Sequence, residues 1–270
     1  MKTIFSCFVL FLLSTAGLFA QQPPKSKAVF FPITYEKDDF KIVVEDIVAT
    51  SDYTKLKLKI QNKTGDFFIF EGSQAQFIFQ GGVPISPGEK PVMIKPFETE
   101  SKVIDVKCGS AGLVSAQFDF IVKGLYRIIP YADLVVAPDF KLPATQHIFS
   151  AGPFQITHNP KKAVKKTSLT EANFAVQYTG SKMGLVNPVK ALCKLENGQS
   201  YGISNTGVKQ CVLAPGESCE FSLKWTIPAH IVDMQFANML IVWNETFREA
   251  DKKLMSSPYL VLKRDAANSE

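Results

Sequence analysis

The chain has 270 residues, 46% of them hydrophobic, with 16 glycines, 16 prolines and a formal net charge of +5. So small a charge does not create the basic field that nucleic-acid binding requires, and the hydrophobic fraction is that of a folding chain rather than a disordered one. Phenylalanine is abundant, with 22 residues against 3 histidines and 2 tryptophans, and Phe, Val and Ile set among turn residues favour strand over helix.

In chain order, the N-terminus comes first. Lys2 precedes an apolar run from Ile4 to Leu13, followed by Ser14, Thr15, Ala16 and Gly17, then Ala20 before Gln21. This is the layout of a secretory signal peptide, expected over residues 1–20. The run is shorter than the roughly 20 residues of a membrane span, and no later run approaches that length, so no transmembrane span is expected. Cys7 lies inside the run and not at the cleavage point, which excludes a lipoprotein. The ending "LFAQQ" resembles bacterial signal peptides that leave a glutamine first. The expected location is the periplasm or the cell surface.

Residues 21–30 read as a leader, and from Phe31 the chain becomes a series of short alternating runs. In "KLKLKI" (Lys55 to Ile60), Leu56, Leu58 and Ile60 face one way and the three lysines the other, the period of a strand with one buried face. "NKTGD" ends it with turn chemistry. "AQFIFQGG" (Ala75 to Gly82), "ESKVIDVKC" (Glu100 to Cys108) and "SAQFDFIV" (Ser115 to Val122) continue the series. The second half repeats the order. "FQITH" (Phe154 to His158) answers "FKIVV", and "NFAVQYTG" answers "KLKLKIQN". "VKALCKLENG" answers "SQAQFIFQGG", "APGESCEFSLKW" answers "PFETESKVIDV", and "DMQFANMLIVW" answers "SAQFDFIVKG". Strands at this spacing, repeated in order, predict an all-β fold of two tandem immunoglobulin-like β-sandwich domains. The expected division is residues 31–131 for domain 1, 132–153 for a Pro-containing linker, 154–264 for domain 2 and 265–270 for a tail.

Without Cys7, the cysteines are Cys108, Cys193, Cys211 and Cys219. Disulfides persist in an exported protein, and four cysteines allow three full pairings. In "CVLAPGESCEFSLKW", Cys219 shares parity with Phe221, Leu223 and Trp225 and should point inward; if Pro215 and Gly216 turn the chain back, Cys211 comes within reach of it. Cys193 reads as a buried thiol, with a Cys108–Cys193 bridge as the alternative. The spacing of eight between Cys211 and Cys219, with no imidazole nearby, suits neither a metal site nor C-x-x-C redox chemistry. No metal and no cofactor are expected. The segment from Cys211 to Pro228 is similar to the cysteine-flanked L-x-P-G-x-S-C segment of bacterial immunoglobulin-like domains of the abnormal-spindle/hydin type. That resemblance implies a bend between two strands, an alternating strand ending near a proline, and a structural or interaction role.

Candidate chemistry is sparse. His147, His158 and His230 lie in three different segments, and no nucleophile elbow, zinc-protease, P-loop or dinucleotide motif occurs. Glu45, Asp46, Asp105 and Glu220 sit at outward or turn positions, and "KKAVKK" (Lys161 to Lys166) reads as a solvated loop. Trp225 has core parity and Trp243 ends an apolar strand; exposed, the pair would make a sugar-stacking platform. The expected function is therefore non-enzymatic binding or scaffolding. The partner would be another envelope or extracellular protein, met through loops or strand edges. The alternative is a carbohydrate-binding module or a glycan-active hydrolase, with polysaccharide as the ligand.

Overall fold

The computed structural model describes residues 26–129 and 133–270. The expected signal peptide lies outside the described residues. The fold is all-β, with one α-helical turn at Ala111–Val114 among the described residues.

The strands run β1 (Ala28–Phe30), β2 (Ile33–Glu36), β3 (Phe40–Ala49), β4 (Tyr53–Asn62), β5 (Phe67–Phe70), β6 (Gln76–Ile78), β7 (Val92–Ile94), β8 (Thr99–Lys107), β9 (Gln117–Ile121) and β10 (Leu125–Ile128). Then come β11 (Leu134–Val135), β12 (Phe140–Leu142), β13 (Ile148–Ala151), β14 (Phe154–His158), β15 (Val164–Lys166), β16 (Leu169–Tyr178), β17 (Met183–Val186), β18 (Leu192–Leu195), β19 (Ser200–Gly202), β20 (Cys211–Leu213), β21 (Ser218–Thr226), β22 (Met239–Val242) and β23 (Phe247–Ala250). β24 (Lys252–Leu254) and β25 (Tyr259–Asp265) end the series.

The period of two in β4 survives folding. Leu56, Leu58 and Ile60 are buried, each worth about 1.5–3 kcal/mol of removed apolar surface. On the other face, Lys57 and Lys59 both reach Glu45, at 3.0 and 2.6 Å. The first large sheet has the order β6-β9-β25-β1-β3-β4-β8, with β2 also on β3. A smaller sheet, β24-β10-β5-β7, supplies Phe68, Phe70, Ile94 and Leu125 to the same core. Phenylalanine abundance is explained there: Phe30, Phe77, Phe79, Phe118 and Phe120 form one contiguous group of rings.

A second core gathers Phe154, Phe174, Tyr178, Trp225, Trp243 and Phe247. It is enclosed by the sheets β13-β14-β16-β15 (with β21 on β16), β12-β22-β18-β19 and β11-β23-β17-β20. Between the two cores lies a third cluster. Phe67, Ile69 and Ile128 from one side meet Met183, Leu185, Val212 and Ala250 from the other. This is why "FFIF" and "MGLV" show no alternation: both faces of β5 and of β17 are covered. Gly184 is required on that second strand, because a Cβ there would come within 2.7 Å of the Tyr178 ring and 2.9 Å of Phe154.

The pairing pattern recurs. β10 pairs β5, β5 pairs β7, β6 pairs β9 and β4 pairs β8; likewise β23 pairs β17, β17 pairs β20, β18 pairs β22 and β16 pairs β21. The finishing strands, however, come from unexpected places. β24 and β25 add to β10 and β9. Their counterparts on β23 and β22 are β11 and β12, which precede that half in sequence. Lys182 holds both crossing points, with Nζ 3.1 Å from Asp133 and 3.4 Å from Asp251.

Three sequence expectations are corrected here. Residues 132–153, expected as a linker, contain β11, β12 and β13; strands of two to four residues beside Pro138 and Pro143 are too short to display a period. Strand β25, expected in the second domain as far as Arg264, lies between β9 and β1, with Leu260 and Leu262 in the first core. Residues 265–270 are not a free tail: Glu270 and Lys27 exchange two backbone hydrogen bonds, at 2.9 and 3.2 Å. Alternation shows that a strand has a buried face but not which sheet buries it. The match of Gln117-Phe118 to Gln235-Phe236 is also shifted. Phe236 is an exposed turn residue, and by pairing the counterpart of Phe120 is Ile241.

Candidate functional site

Cys211 and Cys219 are the pair at disulfide distance, with Cα atoms 6.6 Å apart. The Ala214–Glu217 turn brings them together, closed by the Glu217 N–H donating to Ala214 O at 3.0 Å. Both cysteines pack at the margin of the second core. Cys108 and Cys193 are free. Burial pushes the Cys193 thiol up to about 12, so it is no nucleophile at neutral pH. Replacing Cys211 and Cys219 together by alanine is expected to lower stability by about 2–3 kcal/mol, the chain-entropy value for so short a loop. A denaturant midpoint would measure this, and mass before and after alkylation should count two protected thiols.

The structure joins two of the three histidines. His147 and His158 sit opposite each other beside the β13–β14 hairpin, Nδ1 to Nδ1 at 3.2 Å, while His230 is exposed elsewhere. His158 is 3% exposed, ringed by Phe140 and Phe174, and its Nε2 has no partner. It borders a depression of about 490 Å³ with Lys161, Lys162, Asn173, Glu220 and Ser222. No hydroxyl or carboxylate bonds either imidazole among the described residues, and Ser222 instead donates to Glu171 at 2.7 Å. A proton relay to a nucleophile is therefore not assembled here.

Burial, and secondarily His147, lowers the His158 pKa. The unfolded chain then takes up this proton first, so stability is complete above about pH 6.5 and declines as pH falls below it, by at most about 1.4 kcal/mol per unit. His158→Phe, which suits the surrounding rings, should flatten that part of a melting-temperature profile.

The other candidates are dispersed. Lys162 pairs with Glu220 at 3.4 Å. Lys165, expected in a solvated loop, is on β15 and donates to Ala237 O at 2.7 Å, and burial lowers its pKa. Asp105 lies across from Lys55 on the outer face of the sheet. Trp225 and Trp243 are both buried and present no stacking platform to solvent. Among the described residues there is no group of three or more His, Cys, Asp or Glu placed to hold a metal.

A different feature emerges when the two halves are set side by side. β8 ends its sheet, paired only with β4. The Asn62 N–H donates to Glu98 O at 2.9 Å, so even-numbered residues of β8 bond inward through the register 60↔100, 58↔102 and 56↔104. The N–H and C=O groups of Thr99, Ser101, Val103 and Asp105 point away from the sheet, with no partner among the described residues. Its counterpart β21 is covered at Ser222 and Lys224. Ser204 N–H donates to Lys224 O at 2.6 Å, Asn205 Nδ2 donates to Ser222 O at 2.9 Å, and Asn205 Oδ1 accepts from Lys224 N–H at 3.1 Å.

At the start of the bare edge stands Phe97, 71% exposed with φ +59°. It occupies the third position of the turn Lys95–Glu98, where the equivalent turn Ala214–Glu217 has Gly216 at φ +84°. Such a turn needs positive φ there, which glycine adopts freely and a bulky side chain does not. The sequence signal for Phe97 is "KPFE" opposite "APGE", a phenylalanine where the other turn has glycine.

No family model and no curated protein matches the chain. Among solved structures, it is similar to one described as "pT26-6p", with 9% identity, covering 89% of this chain and 66% of that one at a TM-score of 0.23. A likeness this low carries no argument about fold or role.

Proposed function

We propose that the protein is an exported, non-enzymatic binding or scaffolding protein of the bacterial periplasm or cell surface. In this reading it is built from two duplicated immunoglobulin-like β-sandwiches that adhere to an extended segment of another polypeptide through the free edge of β8. One observation carries the reading: a nine-residue edge strand is bare in the first half while its counterpart is capped at Ser222 and Lys224, and a strained exposed aromatic stands beside it. Exposed strand edges are a hazard that proteins usually cover, and an added strand supplies the missing hydrogen bonds. Backbone strain held at an exposed aromatic is a pointer to contact.

A photo-crosslinking residue at position 103 in the native envelope should trap a protein. Absence of any adduct there, with an adduct elsewhere on the surface, would overturn the reading. Phe97→Gly separates contact from structure. It should stabilise the fold by about 1 kcal/mol through relief of the left-handed backbone, yet weaken binding. A variant that is less stable, or that binds unchanged, would show that Phe97 serves the fold alone.

A further inference from the structure

We infer that the segment which completes the β8 edge is β8 of a second copy of this chain, giving a two-fold dimer with one sheet continuous across the interface. This rests on the reading of β8 as the interaction edge and names its occupant.

Charge and register argue for it. An antiparallel pair centred on Val103 sets Val103 against its own copy, Ser101 against Asp105, and Thr99 against Lys107. On the other face Lys102 meets Ile104 and Glu100 meets Val106. No like charges lie opposite, and the serine hydroxyl can donate to the carboxylate. The odd-numbered residues are the ones whose backbone groups point outward, so each facing pair can exchange two hydrogen bonds. Val103, 57% exposed on the isolated chain, gains an apolar neighbour.

Neighbouring registers are worse. Moving the axis to residue 102 sets Lys102 against itself, and to 104 sets Val103 against Asp105. An axis at 105 sets Asp105 against itself, and one at 101 sets Lys107 against Lys95. Extended two residues beyond the strand, the favoured register brings Phe97 opposite Gly109. There a Cβ would meet nothing within 4 Å, which leaves room for a ring.

The test uses the full mature chain. Sedimentation equilibrium across a concentration series should show a reversible dimer. Val103→Pro removes an outward N–H and leaves the ladder to β4 intact, so this variant should keep its cooperative melt and sediment as a monomer. Val103→Cys should form a covalent dimer on mild oxidation that the parent chain does not, because directly opposed residues in an antiparallel pair lie within disulfide reach. A monomer at every concentration, or a dimer that persists in folded Val103→Pro, overturns the inference. If the chain is monomeric while the envelope crosslink at 103 yields a different protein, the occupant is wrong and the binding edge stands. If the crosslink fails as well, both fall.

Discussion

A fragment of residues 31–131 is expected to aggregate, whereas residues 26–128 joined through an Asn-Gly turn to residues 252–270 should fold. The first follows the boundary suggested by composition and omits β1, β24 and β25. Its large sheet would split, leaving β9 without β25 and β3 without β1 and uncovering Phe118 and Phe120. Loss of Leu260, Leu262, Ala28 and Phe30 from the core removes apolar burial of about 1.5–3 kcal/mol for each large side chain. A domain has a total of about 5–15 kcal/mol to lose. The joined fragment restores all three strands. Ile128 already lies opposite Lys252, so a two-residue turn closes the hairpin. Both fragments should carry Ile69→Lys, since separating the halves exposes Phe67, Ile69 and Ile128. By the same logic residues 133–251 should fold and 154–264 should not, because β11 to β13 complete the second core's sheets. Dispersed amide spectra and cooperative melts decide the matter; a folded 31–131 would refute the strand assignment.

Trp225→Ala is expected to destabilise the protein by about 3–5 kcal/mol, enough to remove much of its stability. Trp225 is 0% exposed at the centre of the second core, with Leu223 and Ile227 buried beside it on the same face. Alanine would leave a cavity that sheets on every side cannot collapse to fill. Trp225→Phe tests a finer point. The indole N–H is buried with no acceptor, a cost of about 1–3 kcal/mol that phenylalanine removes. The lost ring volume works in the opposite direction, so the net change should lie within about 1.5 kcal/mol. A loss in Trp225→Phe well above that, measured by denaturant titration, would show that the N–H is satisfied in solution.

Legibility in the sequence followed the physics of each feature. "KLKLKI" announced its strand because a one-sided sheet demands alternation. The parity that placed Cys219 with Phe221 and Trp225 holds in the fold, since these residues share a face of β21. "FFIF" was opaque, because a strand covered on both faces has no polar face to display. β11 and β12 were missed for lack of length. The pairing of His147 with His158 was not foreseeable either, since it depends on where a hairpin sets its register.

The candidate site divides in the same way. Phe97 was written plainly in "KPFE", a non-glycine after the proline of a turn, but its meaning came only from the glycine that stands at the equivalent turn. The bare edge of β8 was wholly invisible. Whether a strand lies inside a sheet or at its margin is decided by what the rest of the chain brings alongside it, and Asn205 covers β21 from seventeen residues before Ser222.

Local sequence by itself determined that this protein is made of strands, where the principal ones lie, which residues of each enter a core, and that the Pro215-Gly216 bend carries two cysteines. These depend on the two-residue period and on turn chemistry, which act between near neighbours. Only the tertiary structure decided that the C-terminal strand returns to the first core, that β11 and β12 serve the second, and that one edge is left open. Those choices depend on contacts between residues as far as 240 positions apart or more, such as Val29 with Ser269, and no local pattern records them.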